Sequence, residues 1–254
     1  MGLKSLFGWA VSNRKLTSNP VTSITIKLGK QARLRGKGFT DDEVKAILSA
    51  ALRLTQGGET AGTFAAKRWV PWLAAYTDAR VGELAQLRKQ DVAREGNHWT
   101  IRLTPEAGTI KTNEARTVVL HPHLVELGFP AFVEAAPAGH LKDGDMLGPL
   151  QGLKYRLGEF SRSLVGDPNV APTHGWRHRF KTVGMEPGIP TRVLDAIQGH
   201  APRTAAEGYG EVTTKTMAAA IERLPRVGSE GPRASRCTPW RRSWDIRRAT
   251  SGSP

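Results

Sequence analysis

The 254-residue chain has one cysteine, Cys237, so it holds no disulfide framework and no thiolate-based zinc site. That scarcity fits a reducing compartment, and the expected location is the cytoplasm. No apolar stretch approaches the ~18 residues of a membrane helix. The opening apolar run, residues 6–11, is too short for the core of a signal peptide. Position 6 is Leu6 rather than Ser or Thr, so Gly2 does not complete a myristoylation pattern. The expectation is a soluble chain with no membrane partner. Acidic residues are missing from the first forty positions, which carry eight Lys or Arg. Residues 226–254 carry seven Arg against two acids. The formal charge is +14 overall, which leaves the body between these ends close to neutral. An anionic partner is implied, gripped in large part by the ends. Carboxylates do not cluster in motifs, which counts against a two-metal nuclease or transposase. No cofactor or metal is expected.

The body carries helical periodicity. Residues 2–12 place Leu3, Phe7, Ala10 and Val11 on one stripe, and Asn19-Pro20 ends the segment. Residues 22–38 are basic and without period, and read as a linker. Thr40 and Glu43 form a capping box ahead of a stripe of Val44, Ile47, Leu48, Ala51 and Leu52. This helix opens the main domain. Residues 64–77 supply Trp69, Trp72, Leu73 and Tyr76 to the core, with Pro71 implying a kink or a late helix start. A further helix is read over residues 81–88. Alternation then predicts strands at 98–104, 109–111 and 116–120, with a turn at Asn113-Glu114. Helices return near 151–165, 174–186, 190–198 and 213–223. The fold class is mainly α with a small antiparallel β-sheet (α+β). Residues 226–254 are rich in Arg, Ser, Gly and Pro, and read as a basic, disordered tail.

Breaking a phosphodiester without metal requires fixed cations around a multiply charged transition state. Arginine suits this because its planar fork grips two oxygens at once. A nucleophile and a proton donor complete the set. Arg80 begins a helix with Glu83 one turn on, which taken alone reads more readily as a surface ion pair. Lys111 sits in a hairpin, where a lysine is normally just solvated. His174 and Arg177 share a helical face, with Trp176 and Phe180 turned to the core. Gly199 can end a helix just before His200. Tyr209 lies between Gly208 and Gly210, nine residues after His200. The other two tyrosines, Tyr76 and Tyr155, read as core or amphipathic filler.

In order and spacing these blocks resemble the tyrosine recombinase (phage integrase) family. That family's blocks are Thr-Gly-x-Arg-x-x-Glu-Leu, Thr-Lys-Thr, His-x-Leu-Arg-His, Leu-Gly-His and a terminal Tyr. Residues 77–84, 110–112, 174–178, 198–200 and Tyr209 supply them here. No single block is specific; the ordered set is. The resemblance implies that Tyr209 attacks the scissile phosphate to form a 3′-phosphotyrosyl bond. Arg80 and Arg177 would hold the non-bridging oxygens, and Lys111 would protonate the leaving 5′-oxygen. His174 would assist proton transfer, His200 would hydrogen-bond the phosphate, and Glu83 would support the site. A tyrosine ordinarily ionises near pH ~10, so nearby cations and a base have a physical purpose.

The implied partner is double-stranded DNA, bound as a homotetramer, with a monomer in isolation. The implied domains are residues 1–21 as the last helix of a core-binding domain, 22–38 as linker, 39–225 as the catalytic domain, and 226–254 as tail. The pattern departs at four positions: Asp78 for Gly, Gly175 for Asp, Trp176 for Leu and Gln198 for Leu. Residues 138–147 are short for the family. The rival readings are a type IB topoisomerase-like enzyme and a catalytically inactive DNA-binding remnant.

Overall fold

The computed structural model describes residues 2–25, 34–108, 114–139, 141, 150–201 and 210–228. Lys111, Tyr209, the strand expected at 109–111 and the tail beyond 228 lie outside them. The chain divides into two compact units, Met1–Leu34 and Arg35–Pro254. In the first, α1 (Leu3–Ser12) keeps none of its residues buried. Asn19 pins the following turn by donating to the Lys4 carbonyl at 3.1 Å and accepting from the Val21 amide at 3.1 Å.

The second unit opens at α2 (Asp41–Arg53), whose capping box forms as expected. Glu43 accepts from the Thr40 amide at 2.8 Å and donates its own amide to the Thr40 hydroxyl at 3.3 Å. Its stripe of Val44, Ile47, Leu48 and Ala51 is fully buried, each larger aliphatic contributing about 1.5–3 kcal/mol of transfer free energy. α3 (Ala61–Thr77) starts earlier than the sequence implied, because Thr60 caps it and Ala-rich residues propagate it past Pro71. Trp72 is buried in α3 and donates to the Leu48 carbonyl at 3.2 Å, tying it to α2.

α4 (Val81–Ala85) ends three residues before the expected boundary and is followed by a one-turn 3-10 helix, Lys89–Asp91. The sheet is antiparallel with order β1-β2-β3, formed by β1 (Val92–Glu95), β2 (His98–Leu103) and β3 (Arg116–Val119). β1 escapes a pattern search because only Val92 of its four residues is buried. Two short helices were also missed, α5 (Pro122–Glu126) and α6 (Phe129–Ala135); neither is long enough to display a period. α7 (Leu150–Leu164), α8 (Gly175–Met185), α9 (Thr191–Gln198) and α10 (Thr214–Ile221) stand where periodicity placed them.

α3 is the centre of the helical layer, touching α2, α4, α7 and α8, while α10 packs on β3 and α9. Trp176 and Phe180 of α8 are buried, with Trp176 against Phe39 at 4.9 Å between rings. Tyr76 is buried as core, whereas Tyr155 is exposed. Beneath α5, two histidines and Tyr76 fasten residues 224–227. The Tyr76 hydroxyl accepts from the Val227 amide at 3.0 Å and meets His123 Nδ1 at 2.9 Å. His121 Nδ1 accepts from the His123 amide at 3.0 Å, so Nε2 carries the proton given to the Leu224 carbonyl at 3.2 Å.

Candidate active site

Four chain-distant segments carry predicted side chains, and those of the first three come together. The first is the bend between α3 and α4. α3 ends in Asp78 at φ 52°, a left-handed conformation that Asp tolerates better than most residues. Arg80 follows as the residue before α4. Glu83, one turn on, accepts from the Arg80 amide at 3.0 Å and from its guanidinium at 3.0 Å. The Glu83 side chain is only 2% exposed, against 28% for Arg80, so this is not a surface ion pair.

Glu83 has a second cation, which sequence reasoning missed. Arg116 of β3 donates to it at 2.7 Å and also reaches the Ile197 carbonyl at the end of α9, at 3.3 Å. Burial by itself would raise the Glu83 carboxyl, but the guanidiniums of Arg116 and then Arg80 hold it below the usual carboxylate range. An arginine inside a short strand carries no sequence signal of this role.

The second segment is the start of α8. His174 precedes its first turn and is exposed, with the Thr173 hydroxyl 3.3 Å from Nδ1. Gly175 stands where the resemblance expects Asp because a Cβ there would lie 2.7 Å from the Phe39 ring and 2.9 Å from Val170. Arg177 Nη1 donates to the Asp78 carbonyl at 2.6 Å, and Nη2 donates to His200 Nε2 at 2.8 Å. Burial lowers the Arg177 guanidinium from its ordinary value while Asp78 opposes the shift. Arg80 and Arg116 are close enough to repel it.

The third is the end of α9, where Gly199 takes φ 68° as the left-handed cap. A Cβ on Gly199 would also lie 2.7 Å from the Arg116 guanidinium carbon, so glycine serves both the turn and the arginine. His200 follows, exposed. Because a guanidinium only donates, His200 Nε2 accepts from Arg177 and the proton sits on Nδ1, facing Asp195 at 3.1 Å. Asp195 also holds Lys181 at 2.7 Å. Neither Asp195 nor Lys181 was flagged by sequence, since each belongs to an ordinary amphipathic helix.

The fourth is the segment after α9. Tyr209 lies outside the described residues, but its neighbour Gly210 has φ 75° and gives its carbonyl to Arg192 at 2.5 Å. Arg80, Glu83, Arg177 and His200 are thus joined in one cluster, His174 stands one turn before Arg177 and accepts its amide on the backbone carbonyl at 3.1 Å, and Lys111 is outside the described residues. Among the described residues no group of three or more His, Cys, Asp or Glu could hold a metal ion, and no helix is long and apolar enough to cross a membrane.

No family model matches the chain. It is 23% identical over 244 residues to the integrase of Mycobacterium phage L5, covering 89% of this chain and 62% of that protein. It is 28% identical over 203 residues to the tyrosine recombinase XerA of Pyrococcus horikoshii, covering 75% of this chain and 62% of the relative. The chain therefore spans about three fifths of these relatives. Among solved structures, the integrase of mycobacterium phage Brujita superposes with a TM-score of 0.54 at 23% identity, over 91% of this chain and 71% of that one. The XerH site-specific recombinase bound to its difH substrate gives 0.51 at 19% identity, over 78% and 56%. In fold, in the order of its motif residues and in these relatives, the chain is similar to members of the tyrosine recombinase/integrase family.

Proposed function

We propose that the chain is the catalytic part of a site-specific DNA recombinase that breaks and rejoins strands through a 3′-phosphotyrosyl intermediate on Tyr209. The observation that carries this reading is Arg177: its two terminal nitrogens bind the Asp78 carbonyl and His200, so three motif segments meet at one guanidinium. Arg80 stands beside it, backed by the buried Glu83. A scissile phosphate accepts from Arg80 and Arg177 and finds its developing charge balanced by cations already fixed in place. His200, held at Nδ1 by Asp195, stands beside Arg177 where its ring contacts the same phosphate. Lys111 supplies the proton to the leaving 5′-oxygen, and His174, exposed at the start of α8, takes part in proton transfer at the tyrosine. Every role is filled by a side chain, so cleavage proceeds in EDTA.

The DNA partner is supported by the charge at the ends and by the relatives' printed names. A homotetramer on DNA is the assembly that strand exchange implies. The test is a nicked suicide substrate that traps the attached strand, read as a covalent protein–DNA adduct on a denaturing gel. Adduct formation in EDTA supports the reading; a strict requirement for magnesium contradicts it.

A further inference from the structure

Two of the four departures from the family pattern meet each other inside the site. Asp78 and Gln198 are 120 residues apart, and the Gln198 amide nitrogen donates to Asp78 Oδ2. Both are buried, at 0% and 1% exposure. A glycine at position 78 would meet the left-handed turn with no carboxylate to bury. The carboxylate therefore needs another reason to be there. Arg177 supplies it: Nη1 is 2.6 Å from the Asp78 carbonyl and 3.5 Å from its Oδ2. One residue thus presents two oxygens to one corner of the guanidinium, while Nη2 faces His200. Because a guanidinium is planar and rigid, fixing Nη1 from behind fixes where Nη2 and Nε point. The remaining Asp78 oxygen, Oδ1, has no hydrogen-bond partner among the described residues. An apolar pair would leave no such orphan.

We propose that Asp78 and Gln198 form a buried bracket that aims Arg177, Gln198 holding the Asp78 carboxylate against Nη1 so that the guanidinium cannot rotate away from the phosphate. The bracket rests on the reading of Arg177 as a phosphate clamp. Asp78 is a positioning residue, since it is wholly buried and acts through Arg177. Gln198 positions Asp78 in turn.

The charged groups facing Asp78 are Arg177 from α8, Arg116 from β3, and Arg80 with Glu83 from the start of α4; His200 lies on the far side of Arg177. The guanidiniums remain cations throughout, and Glu83 is held ionised. Burial, opposed chiefly by Arg177, pushes the Asp78 carboxyl up to about 7. Its folded value thus exceeds its ordinary 3.8, and the protonated form is the one folding favours. The stability this gives is complete below pH 3.8 and is lost as pH rises through about 7. A bracket that works through the carboxylate therefore trades stability for aim.

The test compares the full chain with Asp78→Asn, which keeps the turn and an amide-capable partner for Gln198 but removes the charge. At pH 8 we expect Asp78→Asn to melt at a higher temperature yet to cleave a suicide substrate about tenfold more slowly at saturating DNA, as befits a displaced guanidinium. The wild-type rate rises through neutrality in a step that Asp78→Asn lacks. On an Arg177→Lys background the Asn substitution adds no further loss. Independently of activity, ¹⁵N-arginine NMR of the free protein is expected to show two resolved Nη signals for Arg177, which merge in Asp78→Asn and in Gln198→Leu. Lower stability together with slower cleavage, or merged Nη signals in the wild type, overturns the bracket. A wild type that forms no adduct at all overturns the strand-cleavage reading alone, and the Nη signals then decide the bracket.

Discussion

Arg177 has both terminal nitrogens committed before any DNA arrives, one to the Asp78 carbonyl and one to His200. Replacing it with Ala removes a preorganised donor and frees His200 from its partner. Single-turnover cleavage is expected to fall about 10²–10³-fold, the range for losing one oxyanion-type donor. Lys restores little, because a single ammonium cannot span the carbonyl, the imidazole and a phosphate oxygen together. Full activity of Arg177→Ala would remove the clamp from the account. At Tyr209 the change to Phe deletes one oxygen, so DNA binding in a gel-shift assay should persist while adducts disappear. Adducts in the Tyr209→Phe protein would place the nucleophile elsewhere.

Among the elements, the joint between α3 and α4 carries the most consequence, because Glu83 ties the loop bearing Arg80 to β3 through Arg116. Glu83→Gln leaves two cations facing one neutral amide. Arg116 is 11% exposed and Arg80 28%, so solvent screens Arg80 more. Denaturant unfolding is expected to register a loss of about 3 kcal/mol, the lower end for breaking a buried pair. No loss would mean that Arg116 pairs otherwise. The C-terminal fastening makes a pH prediction. Burial pushes His121 down to about 4 from its ordinary 6.5, and burial lowers His123 as well. Both are required neutral, His121 to accept from an amide and His123 to accept from the Tyr76 hydroxyl. The stability they give is complete above pH 6.5 and is lost as pH falls toward 4. Amide exchange at Leu224 and Val227 should accelerate over that window, earlier than exchange in α2; uniform protection down to pH 4 would contradict it.

At this scale the limits of sequence become physical. α2, α7, α9 and α10 announce themselves because amphipathic periods and caps are local properties. β1, α5 and α6 do not, because each is held by contacts to other elements and is too short to carry a period. The site follows the same division. Arg80, Glu83, Arg177 and His200 were legible as ordered motifs, whereas Arg116, Asp195 and the Asp78–Gln198 contact exist only once distant segments meet. Lys111 and Tyr209 were equally legible as motif residues, and they rest on the sequence alone.

For the whole molecule, charge is separated from chemistry. The site belongs to a body that is close to neutral, while residues 1–40 and 226–254 hold most of the +14. Basic segments bind phosphates by releasing counterions, so affinity for DNA should fall by orders of magnitude between about 50 and 200 mM salt. Removing residues 229–254, which hold six Arg, should flatten that salt slope without changing the cleavage rate at saturating DNA. An unchanged slope would take the tail out of DNA binding. The central claim is that side chains alone carry out strand cleavage by forming a bond to Tyr209. Its most direct measurement is incubation of the chain with a radiolabelled suicide substrate in EDTA, followed by denaturing gel electrophoresis and peptide mapping of the labelled species. The account predicts a 3′-linked adduct mapping to Tyr209. An adduct on another residue, or cleavage that leaves free ends and needs a divalent cation, would contradict it.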